Sequence, residues 1–230
     1  VLSSLFECSP PPCLVEVIVL VNLPSDAETD VRERSRSAAE QAKEWAQQNS
    51  REGIAVHIVG PVELPARHAG VGLARKLAMD EGTRRLASAG NGDGVIVCLD
   101  ADCSVAPNYL AEVVAYFLAR PRVGASTIHY EHPLDDDTMG PLITRYELFL
   151  RYYRLGLRFA GSAHAFHTVG SAIAVRACAY ARQGGMNRRQ AGEDFYFMQK
   201  LADGEQVGEL NSTVVRPAAR LSRRVPFGTG

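Results

Sequence analysis

Two pairs of carboxylates are placed where they could do chemistry: Asp100-Ala101-Asp102 and Glu193-Asp194. The first follows an uninterrupted apolar run, Val95-Ile96-Val97-Cys98-Leu99. Such a run reads as a short strand buried on both faces, and open α/β sheets bind ligands beyond the carboxyl ends of their strands. Residues two apart in extended chain face the same side. Asp100 and Asp102 are therefore expected to converge on one hard cation, with the small Ala101 leaving room for a ligand. Mn2+ and Mg2+ favour carboxylate oxygen and keep positions open for substrate phosphates. The plainer reading is that the two aspartates end a strand and begin a turn. Glu193-Asp194 follows Gly192 at an expected helix start, where the helix dipole favours acidic residues. An ionised carboxylate there can also take a proton from an attacking hydroxyl.

The elements that must position these pairs alternate along the first half. Leu14 to Val21 is a β-branched apolar run, expected as a strand buried on both faces and ended by Asn22-Leu23-Pro24-Ser25. A helix is expected from Ala27 to Gln48 and a second strand from Ile54 to Val59, closed by Gly60-Pro61. A helix from Val71 to Leu86, the turn Asn91 to Gly94, the apolar strand and a helix from Pro107 to Leu118 follow. This order predicts an α/β domain with a mainly parallel sheet. The first residues, with Pro10-Pro11-Pro12, read as an irregular lead-in because consecutive prolines sustain neither helix nor central strand.

The second half is less regular. It offers a strand at Gly124 to His129, an acidic loop at His132 to Gly140 and a Tyr-, Leu- and Arg-rich helix at Pro141 to Phe159. A small-residue strand at Val169 to Val175, a helix at Gly192 to Leu201, a strand at Val207 to Leu210 and an arginine-bearing tail complete it.

Composition narrows the classes. The 230 residues suit one α/β domain with a single core. With 25 basic and 26 acidic residues the net charge is -1, which gives no electrostatic reason for a nucleic-acid partner. No apolar run nears the roughly 20 residues that span a bilayer, and the first residues lack a signal-peptide pattern. Five irregularly spaced cysteines without zinc-finger spacing suit reduced thiols, so a cytoplasmic protein is expected.

Taken in order, Leu99-Asp100-Ala101-Asp102, Gly170-Ser171-Ala172-Ile173-Ala174-Val175-Arg176, Gly184-Gly185-Met186 and Gly192-Glu193-Asp194 resemble the motif series of glycosyltransferase family 2. These are inverting enzymes of the GT-A fold. The resemblance implies a GT-A (Rossmann-like) α/β fold in a single domain over residues 1–230. About 14–120 would bind the nucleotide-sugar and about 121–230 the acceptor. It implies metal-dependent transfer from a UDP- or GDP-sugar to a carbohydrate or other hydroxyl acceptor, with Mn2+ or Mg2+ as cofactor.

On the matching positions, Asp100 would lie near the donor ribose and metal, and Asp102 would hold the metal. Asp194 would be the base, Glu193 would help place a substrate, and Gly170 and Ser171 would meet the acceptor. Arg75 and Lys76 lie on the helix that runs beneath the donor in such enzymes. Asn22 is what remains of a Pro-x-Tyr-Asn element, and His167 or His164 offers a third metal ligand. Arg220, Arg223 and Arg224 offer planar forks for phosphate on a tail able to fold over the donor.

Departures are also visible. Gly60-Pro61-Val62-Glu63 stands where a base-reading aspartate often follows the second strand, and the Gln-x-x-Arg-Trp element of processive members is missing. Rival readings are a haloacid dehalogenase-type phosphatase using Asp100 and Asp102, a nucleotidyltransferase, and a domain that binds sugar or nucleotide without turnover. The nucleotidyltransferase would need a Gly-rich, Arg-containing loop that Asn22-Leu23-Pro24-Ser25 does not provide. The helix Pro141 to Phe159 suggests acceptor specificity, or a subunit or peripheral membrane contact at the inner face of the membrane.

Overall fold

The structure, a computed structural model, describes residues 1–136, 138–189 and 192–219. β1 (Val15–Pro24) and β2 (Ile54–Leu64) pair in parallel and are joined by α2 (Thr29–Gln48). Their register runs from Val15↔Ile54 to Leu20↔Val59, shifts between Leu20 and Asn22, and resumes at Asn22↔Val62. Gly60-Pro61, expected to close the second strand, therefore lies inside it. Among the described residues β2 pairs only with β1, and a proline on such an edge strand costs no ladder bond on its open side. The burial expected for β1 is also not met. Leu23 is its one buried residue, because a strand with a single partner keeps its faces half open.

The second sheet has the order β3-β6-β5-β7-β4, built from β3 (Val95–Cys98), β4 (Ser104–Val105), β5 (Val123–Tyr130), β6 (Ile173–Arg176) and β7 (Gln206–Arg216). β5 and β7 are parallel, as β1 and β2 are, while β6 lies antiparallel between β3 and β5. The second half thus contributes the mixed part of the sheet. Its core shows the strand period of two. On β6, Ile173 and Val175 join Met79, Phe197, Met198 and Leu201 on one side, while Ala174 joins Tyr109, Val113 and Phe117 on the other.

α3 (Val71–Ser88) packs on both β1 and β3. A Cβ at its Gly82 would stand 3.8 Å from both Ile18 and Ile96, so this helix bridges the two sheets at a position without a side chain. α6 (Ala177–Arg182) and α7 (Glu193–Gly204) share that side, and α4 (Tyr109–Ala119) covers the other. α5 (Met139–Phe159) connects β5 to the segment before β6.

Two boundaries differ from expectation for local reasons. The lead-in contains α1 (Leu2–Phe6), whose Leu5 is buried in the core and whose Phe6 meets Trp45 edge-on at 4.9 Å; the prolines follow this helix rather than interrupt it. The small-residue strand begins at Ile173, because Ala172 N–H donates to the Val169 carbonyl and curls Val169 to Ala172 into a turn.

Candidate active site

Asp100 and Asp102 do not lie on extended chain. β3 ends at Cys98, and the Cys103 N–H donates to the Asp100 carbonyl at 3.1 Å, closing a turn that carries both carboxylates. The two carboxylates therefore do not share the strand face expected from the sequence; a turn brings the pair to the end of β3. Asp102 is exposed and Asp100 partly so. The β3/β6 register, Val95↔Arg176 to Cys98↔Ile173, sets this turn beside the one that holds Gly170 and Ser171. There Ser171 is buried and hydrogen-bonds the Cys103 thiol, whose pKa burial raises.

Arg75, on α3, ties the two acidic pairs together. Its Nη2 donates to Asp100 Oδ1 at 2.7 Å and its Nη1 to Glu193 Oε1 at 2.5 Å. The side chains of Arg75 and Glu193 are 8% and 6% exposed, so this is a buried ion pair with a half-open third member, Asp100, at 42%. Burial alone would lower the Arg75 pKa, but Asp100 and Glu193 outweigh it and raise it. Gly170 makes the arrangement possible. A Cβ there would stand 2.4 Å from Arg75 Nη1 and 2.7 Å from its Cζ, so the guanidinium lies directly on glycine backbone. Gly72, three residues before Arg75, likewise faces Glu193 and the Arg189 carbonyl with no space for a Cβ.

α7 starts at Gly192, whose φ of 68° lies in the left-handed region that glycine occupies without strain. Asp194 Oδ1 accepts the Phe195 N–H at 2.8 Å. Burial raises the Asp194 pKa and Asp100 adds to the rise, against the pull of that N–H and of Arg75. Glu193 is raised too, chiefly by burial, with Arg75 opposing and Asp194 assisting. From α5, Tyr146 comes near enough for Asp194 to contribute to its raised phenol pKa, after burial.

Asn22, Arg75, Asp100, Asp102, Ser171 and Asp194 line one continuous cleft between the two sheets. Lys76, expected beside the donor, is engaged by Asp80 at 2.9 Å and is not among the residues lining the cleft. His167 lines the cleft but packs edge-on to Tyr130 at 5.3 Å, with Arg154 Nη1 3.3 Å from its Nε2. Burial, then Arg154, lowers its pKa to about 4. His164 lies 3.5 Å from Asp203. Among the described residues no group of three or more His, Cys, Asp or Glu is gathered for a metal, so Asp100, Asp102 and His167 do not form the expected set here. The arginines 220, 223 and 224 lie outside the described residues.

Sequence reading missed the pairing role of Arg75 and the approach of Tyr146. The first had a faint signal in the Gly72-x-x-Arg75 spacing, which puts glycine and arginine on one helix face; the second had none.

A family model described as glycosyl transferase family 2 matches residues 36–181, more than half of the chain. The chain belongs to glycosyl transferase family 2. The matched stretch of this family 2 chain contains Arg75, Asp100, Asp102, Gly170 and Ser171 and ends before Glu193. Family membership removes the phosphatase and nucleotidyltransferase readings of Asp100-Ala101-Asp102. A comparison with curated proteins gives no match.

Among solved structures, a mannosyltransferase from Pyrobaculum calidifontis, in complex with GDP-Man and Mn2+, is 20% identical with a TM-score of 0.53. The likeness covers 94% of this chain and 61% of that one, so the family 2 chain spans less than two thirds of its length. GalNAc-T7 with UDP, GalNAc and Mn2+ is 13% identical, with a TM-score of 0.49, over 91% of this chain and 44% of that one. The mannosyltransferase likeness shows the GT-A fold.

Proposed function

We propose that this family 2 domain transfers a sugar from a UDP- or GDP-sugar to an acceptor hydroxyl, with inversion at the anomeric carbon. The observation that carries the reading is the Arg75 bridge, which makes Asp100 and Glu193, 93 residues apart by number (193 − 100), parts of one site. Asp194, beside that bridge, takes the proton of the acceptor hydroxyl as its oxygen attacks the anomeric carbon. The bond from that carbon to the diphosphate oxygen breaks, and its electron pair leaves with the nucleoside diphosphate. A raised carboxyl pKa suits this task, because a stronger base accepts the proton more readily. Glu193, buried against Arg75, acts as a positioning residue that keeps the guanidinium, and through it Asp100, in place.

The donor set at the β3 turn fits a divalent cation. It consists of hard carboxylate oxygens, and Asp100 commits only Oδ1 to Arg75. When bound by Asp100 and Asp102, Mn2+ or Mg2+ supplies positive charge against the departing diphosphate. In this reading the first half, with Asn22, receives the donor. The second half, with Ser171 and Tyr146, receives the acceptor.

Two measurements test the proposal. UDP or GDP with Mn2+ should raise the melting temperature by mass action; failure of every nucleoside diphosphate to do so removes the donor reading. Asp194→Asn should lower transfer about 10²–10⁴-fold while the nucleotide shift persists. Undiminished turnover by that variant would show that another group takes the proton.

A further inference from the structure

α5 presents two unlike faces. Ile143, Glu147, Leu150, Arg154 and Leu157 recur every three or four residues and are buried or half-buried. Of these, Glu147 accepts the His132 backbone N–H and is ion-paired to Arg151, and Arg154 to Glu209. On the opposite side Leu148, Tyr152, Leu155 and Phe159 follow the same period and are 61%, 77%, 64% and 96% exposed. Phe149 and Tyr153, stacked on each other, extend this face and are also exposed. A continuous exposed apolar face of this kind marks an interaction surface.

Charge decides what covers it. The outward face of α5 carries one charged residue, Arg145; Arg151 and Arg158 flank the inward stripe and pair with Glu147 and Glu209, and the one acid of the helix, Glu147, is turned inward. Arg158 meets Glu209, while Arg145 has no ion-pair partner among the described residues. The nearby acids Asp135 and Asp136 precede the helix, and Asp136 is occupied in accepting the Thr138 and Met139 N–H groups. An isologous contact with a second copy would set Arg145 of each copy on a shared apolar face that offers it no acid. Leucine and aromatic rings edged by arginine instead suit a helix lying in the headgroup layer of an anionic bilayer. Tyr152 and Tyr153 suit that layer because each has an apolar ring and a polar tip. Among the described residues no helix is long and apolar enough to cross a membrane, so the contact would be made at the surface.

We propose that the outward face of α5, from Leu148 to Phe159 with Arg145 at its edge, seats this protein on an anionic lipid surface. Tyr146, one and two turns from Phe149 and Tyr153 on the same helix, is near enough to Asp194 to feel its charge, so docking sets the site toward the bilayer. In terms of the transfer reading, on which this consequence rests, acceptors held at the membrane surface reach Asp194 without leaving the headgroup layer. The docking itself needs no turnover.

The test uses the whole chain with vesicles of phosphatidylcholine alone or mixed with phosphatidylglycerol, read by co-sedimentation. The mixed vesicles should bind it, less so as salt rises. Tyr152→Glu with Phe159→Glu should weaken binding about ten-fold or more, and Arg145→Ala about five-fold. These side chains are exposed, so the melting temperature should hold and confirm that the variants fold. No co-sedimentation of the unmodified chain with mixed vesicles overturns the proposal. Concentration-dependent self-association that the double variant abolishes, without vesicle binding, assigns the face to a second copy and overturns it equally. Loss of nucleotide binding would count against the transfer reading alone.

Discussion

Arg75 meets three segments of chain at one point: its own helix, the turn after β3 and the start of α7. Removing it leaves Glu193 charged, buried and without its counter-ion, so Arg75→Ala should cost about 3–5 kcal/mol in urea unfolding. Arg75→Lys should recover only part of this, since an ammonium lacks the planar fork that serves two carboxylates at once. A double-mutant cycle with Glu193→Gln measures the coupling. Gly170→Ala should destabilise by about 1–3 kcal/mol through overpacking and weaken nucleotide binding. Unchanged melting and binding would mean that the guanidinium has somewhere else to go.

Asp194 gives a prediction of opposite signs. Its folded pKa lies above the ordinary aspartate value of about 3.9. With Asp194 in its proposed role as base, activity should therefore fall as pH drops through that raised value, because a protonated carboxyl cannot accept a proton. Stability should also fall as pH rises from the ordinary to the raised value, since ionisation is disfavoured in the fold. Asp194→Asn is thus expected to lose transfer about 10²–10⁴-fold yet to melt higher than the parent protein at neutral pH, a contrast checked by a transfer assay and calorimetry on both proteins.

Among the elements, β6 and its flanking turns show what local pattern could and could not reveal. The run Ile173 to Val175 was legible as strand from its apolar character. That Val169 to Ala172 curls instead of extending was not, because the turn exists to bring Gly170 against an arginine on another helix. Arg176 ends β6 at the far end from the acidic turn, opposite Val95. Its guanidinium donates to the carbonyls of Val123, Phe117 and Asp93, holding the α4–β5 corner. Arg176→Lys is accordingly expected to destabilise by about 1–3 kcal/mol while nucleotide affinity is unchanged. A selective loss of nucleotide binding would show that the corner communicates with the cleft.

For the molecule as a whole, acid sensitivity should come in part from His167. Its folded value of about 4 lies below the unfolded value of about 6.5, so the unfolded chain binds the extra proton first. The neutral ring contributes its stability fully above about pH 6.5 and loses it progressively as pH falls toward 4. His167→Gln should flatten the pH dependence of the unfolding free energy across that window and leave it unaltered at pH 8. An unchanged profile would mean that the ring titrates normally.

The sequence by itself determined the alternation of strands and helices in the first half, the order of the family 2 motifs and the placing of an acidic pair after an apolar strand. Each of these is written in local periodicity or composition, which a single segment carries alone. Tertiary structure decided that the first acidic pair sits on a turn, that Arg75 serves the carboxylates, and that His167 packs beside Arg154 and Tyr130. Those outcomes depend on the β3/β6 register and on where α3 and α7 cross the sheet. They bring together residues that no periodicity connects, and burial then fixes which charges must be paired.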